Sequence, residues 1–179
     1  MKKQIMYSLL VLCPALCLLI LGASGPGDES AEFSRTTIDL GMVVADLEKS
    51  VTFYREVIGF TQVGSFDVAS QMAGDTGLTD YKPFSVRVFA LGSEPTATKL
   101  KIMAFPNAPG KTVDNQFISS SLGYSYLTIF VADMNAAMQR LKQNNVTPVK
   151  QPYQLGGNSY LALVKDPDGN IIELIGPMD

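Results

Sequence analysis

The chain has no histidine among its 179 residues, and its two cysteines, Cys13 and Cys17, both lie near the N-terminus. Chemistry elsewhere must therefore use carboxylates, ammonium groups, hydroxyls and amides. Histidine general bases, Ser-His-Asp and Cys-His nucleophiles, and zinc sites built on imidazole or thiolate are excluded there. The remaining candidates sit in short alternating runs. Ile38, Leu40, Met42 and Val44 share one face of the first run, which leaves Asp39, Gly41 and Val43 on the other. In a later run Leu127, Ile129 and Val131 leave Tyr126, Thr128 and Phe130 opposite. Two further runs place Lys101 with Met103, and Ile171 with Glu173, away from their core faces. All of these can line one concave surface. Its carboxylates can transfer protons or offer oxygen ligands. A charged lysine brings three donors and no lone pair, and a tyrosine is a poor ligand at neutral pH.

The elements that carry these residues occur twice. After the first strand, Ala45-Asp46 changes the period. Asp46 suits an N-cap, and Leu47, Val51, Tyr54 and Ile58 follow as one helical stripe that Gly59 can end. Phe60 to Val63 then begins a strand. After the second alternating run, Ala132-Asp133 repeats Ala45-Asp46, Met134, Met138 and Leu141 form the stripe, and Asn144-Asn145 closes it. Strands are expected over 84–91 and 99–105 in the first half, and over 159–165 and 170–175 in the second. The last two are joined by the turn Asp166-Pro167-Asp168-Gly169. One such unit buries a single sheet face, so two copies sharing a core make the stable domain. The stretch 65–83 reads as a long loop of the kind that covers a cleft, with Asp67 able to cap a short helix through Met72. Gly74–Asp80 is acidic and glycine-rich, but its spacing fits no EF-hand loop.

The run from Ile38 to Ser50, with Phe53-Tyr54 and Ile58-Gly59-Phe60, resembles the opening module of the vicinal oxygen chelate superfamily. That superfamily includes glyoxalase I, bleomycin-resistance proteins and extradiol dioxygenases. Gly156-Gly157 and Asp166-Pro167-Asp168-Gly169-Asn170-Ile171-Ile172-Glu173-Leu174 resemble its closing hairpin. The resemblance implies an α+β domain over 36–179: two βαβββ modules (36–106 and 123–179, with linker 107–122) forming a half-open β-cup, helices on the outside. It also implies four inward positions that hold a divalent cation in metal-using relatives. Here they read Asp39, Lys101, Tyr126 and Glu173, and only Glu173 is a residue the family uses as a ligand.

Two arrangements remain open at these positions. In one, Lys101 replaces the cation, lying between Asp39 and Glu173 with the Tyr126 hydroxyl completing the hydrogen bonds, since two carboxylates brought together need a counter-charge. In the other, these are ordinary sheet-face residues near solvent. The expected function is a small-molecule-binding module of the drug-sequestering type, with no metal and no cofactor. Its ligand contacts would come from Asp39, Lys101, Met103, Tyr126, Thr128, Phe130 and Glu173. As superfamily members of that type commonly pair, a homodimer is an open assembly. The alternatives are an enzyme of the glyoxalase or dioxygenase kind, with Glu173 as the catalytic proton-transfer group or in a reduced site for one divalent metal, and an envelope interaction domain without a ligand.

The N-terminus bears on location. Lys2-Lys3, the apolar run 5–22 and the small residues Ala23, Ser24 and Gly25 read as a secretory signal peptide over 1–24, followed by a flexible spacer over 25–35. A secreted or periplasmic protein is expected, or one anchored in a membrane by 5–22 if the leader is retained. The formal charge of −3 and the scattered basic residues argue against nucleic acid as a partner.

Overall fold

The computed structural model describes residues 33–179; the leader, the candidate anchor and most of the spacer lie outside the described residues. Residues 37–179 form one unit built from two modules. The first contains β1 (Leu40–Val43), α1 (Leu47–Thr52), a π-helical turn (Phe53–Ile58), β2 (Thr61–Val68), α2 (Ser70–Asp75), β3 (Phe84–Ala90) and β4 (Lys99–Met103). The second contains β5 (Tyr126–Phe130), α3 (Met134–Gln143), β6 (Tyr153–Gly156), β7 (Ser159–Lys165) and β8 (Ile171–Pro177). Each module makes a four-stranded mixed sheet, ordered β1-β4-β3-β2 and β5-β8-β7-β6. The first strand of each pairs in parallel with the last. This is the α+β fold of repeated modules, forming an open cup.

Both helices start where an aspartate can take up an unpaired backbone N–H. Asp46 accepts from Lys49 N at 3.0 Å, and Asp133 from Ala136 N at 3.1 Å. Their apolar stripes then cover the sheets. Tyr54, Ile58, Leu100, Ile102, Met134, Leu141, Val164, Ile172 and Leu174 join one core that runs through both modules. The π-helical turn widens the stripe. Gly59 N reaches back to Tyr54 O, so Phe53 and Tyr54, and then Val57 and Ile58, are all buried. The two helical regions also meet: Arg140 Nε donates to Val57 O at 2.8 Å, and Asn144 Nδ2 to Glu56 O at 3.3 Å.

Some local expectations are corrected. Ile38 precedes β1 and is 70% exposed, so it does not share the core face of Met42 and Val44. Asp67 caps no helix. It lies in β2 and accepts from Ser85 Oγ at 2.6 Å, because β2 and β3 continue pairing as far as Val68 and Phe84. The long loop is thereby shortened, and α2 begins at Ser70 with Ala69 before it. Gly74 and Asp75 belong to this helix, not to a loop. Strand β6 supplies the third strand that a βαβββ second module requires, at a place the residue pattern had not located. Among the described residues no helix is long and apolar enough to cross a membrane.

Candidate functional site

The parallel pairing of β1 with β4 sets Gly41 opposite Lys101 and Val43 opposite Met103. Lys101 projects from the sheet face that the helices leave open, because its neighbours Leu100 and Ile102 are in the core. Its Nζ lies 3.0 Å from Asp39 Oδ2, and Lys99 N donates to Asp39 Oδ1 at 3.3 Å. The Asp39 side chain is 11% exposed and that of Lys101 36%, so the carboxylate is held in place while the ammonium reaches solvent.

The second module builds a different pair on the equivalent face. Thr128 stands opposite Glu173 across β5 and β8, and its hydroxyl donates to Glu173 Oε2 at 2.7 Å. Leu163 is the partner of Glu173 on β7, while Phe130 and Tyr126 are exposed on β5. Of the four family positions, Asp39 and Lys101 thus pair with each other in the first module, Glu173 pairs in the second with Thr128, which is not one of the four, and Tyr126 belongs to neither pair. Lys101 pairs with Asp39 and does not stand between Asp39 and Glu173. Of the other expected ligand contacts, Met103 and Phe130 lie on the open face. Phe89 is in the core, Tyr160 packs against it, and Arg87 is paired across from Ile102, reaching Glu48 of α1 at 3.8 Å.

A cavity of about 340 Å³ lies between β1 and β5. Residues 39–43 and 124–127 line it without a break, and side chains that alternate between faces can do this only if the strand edges turn toward the cavity. The sheet order agrees, since β1 and β5 are each the end strand of their sheet. Asp39 and Tyr126 both line this space; Lys101 and Glu173 do not. Strand alternation distinguishes the two faces of a sheet, so a site made by two strand edges leaves no mark in it. Behind the cavity, the Tyr54 hydroxyl donates to Asp166 Oδ2 at 2.9 Å, and Asn170 Nδ2 reaches the same oxygen at 2.8 Å. Burial, and after it the Asp166 carboxylate, push the Tyr54 phenol far above the usual tyrosine range.

The donor set at the four family positions does not fit a divalent cation. Lys101 offers no lone pair while charged and already neutralises Asp39, and Glu173 stands with a threonine. Among the described residues, no three Asp, Glu, His or Cys side chains gather as a metal-binding group.

Paired βαβββ modules with an open cup define the class of fold. The chain belongs to the Glyoxalase/Bleomycin resistance protein/Dioxygenase superfamily, whose family model matches residues 36–174. A lactoylglutathione lyase of Salmonella typhimurium is 27% identical over 138 residues, covering 76% of this chain and 88% of its own length. A probable lactoylglutathione lyase of Vibrio parahaemolyticus is 29% identical over 134 residues, covering 74% and 83%. Among solved structures, a glyoxalase family protein from Bacillus cereus superposes with a TM-score of 0.68 at 20% identity, covering 82% of this chain and 95% of that one. The trypanothione-dependent glyoxalase I of Leishmania major gives 0.58 at 22% identity, covering 80% and 87%. The chain is therefore related to glyoxalase I lyases, and the solved structures support the fold.

Proposed function

We propose that this protein is exported and binds a small organic molecule without using a metal ion, in the manner of the drug-sequestering members of its superfamily. The observation that carries this reading is the Lys101 ammonium 3.0 Å from Asp39, at a position where a metal-using relative would need a ligand with a lone pair. A cavity of about 340 Å³ falls within the range of small-molecule sites. Apolar side chains exposed on β1 and β5, including Val43, Tyr126 and Phe130, also suit a homodimer. Native mass spectrometry of the protein made with its leader tests these points together. The expected result is a cleaved, metal-free chain that retains a small organic ligand, in pairs. One equivalent of zinc, nickel, manganese or iron per chain would overturn the metal-free reading.

A second reading is favoured by the relatives named lactoylglutathione lyases. In it Glu173 is the proton-transfer group, poised by the Thr128 hydroxyl. Turnover of lactoylglutathione that is lost in Glu173→Gln, with the fold intact, would support the lyase over the binder.

A further inference from the structure

We propose that the linker between the modules, together with the exposed face of β5, is a docking surface for a second copy of this chain. This names the surface of the homodimer suggested above and rests on that reading. The linker reverses the pattern of an ordinary solvated loop. Its polar residues Asn115, Ser120, Ser121 and Ser125 are half-buried, while Phe117, Ile118, Leu122 and Tyr124 are exposed, the last two fully. Local hydrogen bonds hold this arrangement. Phe117 N donates to Ser120 Oγ at 3.0 Å, and Ser121 Oγ to Asp114 O at 2.8 Å. Lys165 Nζ donates to Asn115 O at 2.7 Å and ties the base of the segment to the second module. The apolar side chains are thus set outward before any partner arrives, which lowers the ordering cost of association.

The exposed side chains make one patch. Phe117, Ile118, Leu122 and Tyr124 border the same shallow depression, and Tyr124 meets Tyr126 on the wall of the cavity between β1 and β5. Phe130, 79% exposed, continues the face of β5 that carries Tyr126. The four aromatic residues expose about 600 Å² between them. With Ile118 and Leu122 added, the patch reaches the roughly 800 Å² that each partner gives to a standard interface. Composition selects the partner. No charged residue occurs between Asp114 and Asp133, and an aromatic, charge-free surface has the character of a homodimer interface. A second copy brings the same patch, so apolar surface meets apolar surface about a two-fold axis. The net charge of −3 does not fall within this segment, and the linker sets no like charges against each other when two copies meet.

Sedimentation velocity over a dilution series of the protein made with its leader tests the surface. The protein should be a dimer at micromolar concentration. The double variant Leu122→Ser, Tyr124→Ser should weaken dimerisation by about ten-fold or more, as loss of central apolar contacts does. Leu155→Ser, at an exposed apolar residue of β6, should leave it unchanged. All of these side chains are exposed in the single chain, so the fold should be kept, and circular dichroism checks this. A dimer that the double variant leaves intact would overturn the linker as the surface while keeping the homodimer. A parent protein that stays monomeric would overturn the surface and the homodimer together, without touching the small-molecule reading. Monomers that bind phosphatidylcholine vesicles, and lose that binding in the double variant, would assign the patch to a membrane and overturn the proposal.

Discussion

The Tyr54 hydroxyl donates to the buried carboxylate of Asp166 across the junction of the two modules, at 2.9 Å. Asp166 also accepts from Asp168 N, Asn170 N and Asn170 Nδ2, which fixes the β7–β8 turn around it. The same turn sends Asp168 to Ala45 N, at 3.2 Å to one oxygen and 3.3 Å to the other, just before α1. One turn of the second module is thereby tied both to the helix and to the first strand–helix junction of the first.

Tyr54→Phe should lower stability by about 1.5–3 kcal/mol, the range for a hydrogen bond to a charged group. The loss stays moderate because Asp166 keeps its other three donors. The substitution should also change the alkaline limb of the stability profile. The folded phenol holds its proton far above the ordinary tyrosine range, while the unfolded one releases it near pH 10. Above that pH the unfolded state binds fewer protons than the native state, so stability falls as pH rises. Below it, the Tyr54 contribution is fully present. Urea denaturation from pH 8 to 11 should give a steeper decline in the parent than in Tyr54→Phe. Parallel profiles would remove Tyr54 as the cause.

Ser50 is fully buried in α1, and its hydroxyl is the one buried side-chain polar atom among the described residues that lacks a hydrogen-bond partner. Ser50→Ala removes an unsatisfied group and places a better helix former in the same space. Stability should rise by about 1 kcal/mol. Chemical denaturation checks this, and a loss of stability would mean that the hydroxyl has a partner in solution.

Local signals in the sequence carried most of the fold. Asp46 and Asp133 marked the helix starts because a short carboxylate is the simplest partner for an unpaired helical N–H. The turn from Asp166 to Gly169 and the doubled strand–helix pattern were equally local. What escaped depended on partners distant in sequence. The stripe through Val51, Tyr54 and Ile58 fits an α-helix, and nothing in its spacing announced the π-helical turn that also buries Phe53 and Val57. Asp67 looked like a cap, yet its place was decided by Ser85 on the neighbouring strand. At the site, alternation correctly turned Asp39, Lys101, Thr128 and Glu173 away from the core. It could not say which would meet, because that is fixed by the parallel registers of β1 with β4 and of β5 with β8.

The Asp39–Lys101 pair should be worth about 1 kcal/mol, since its lysine is partly in water and screened. A double-mutant cycle with Asp39→Asn and Lys101→Met measures the coupling directly. The coupling should shrink in 1 M salt, where the Debye length falls to about 3 Å. A coupling near zero at low salt would show that the two groups separate in solution.

Gly176 and Gly64 offer a paired test of close approach in the two sheets. A Cβ added at Gly176 would collide with the Val131 carbonyl and come within 2.7 Å of a Val131 methyl. That carbonyl is main chain and cannot swing aside, and the adjoining Val131 N already donates to Ile175 O at 2.8 Å, which fixes the spacing of β5 and β8 at this end. At Gly64, in β2, an added Cβ meets nothing within 4 Å. Gly176→Ala should therefore destabilise by about 1–3 kcal/mol, as overpacking does. Gly64→Ala should be neutral or stabilising by up to about 1 kcal/mol, through reduced freedom of the unfolded chain. Because the parallel pairing of β5 with β8 also aligns Thr128 with Glu173, Gly176→Ala should loosen that hydrogen bond as well. Nuclear magnetic resonance of the Thr128 and Glu173 amides would report the shift. Equal stability of the two variants would show that the sheet end can open to admit a methyl group.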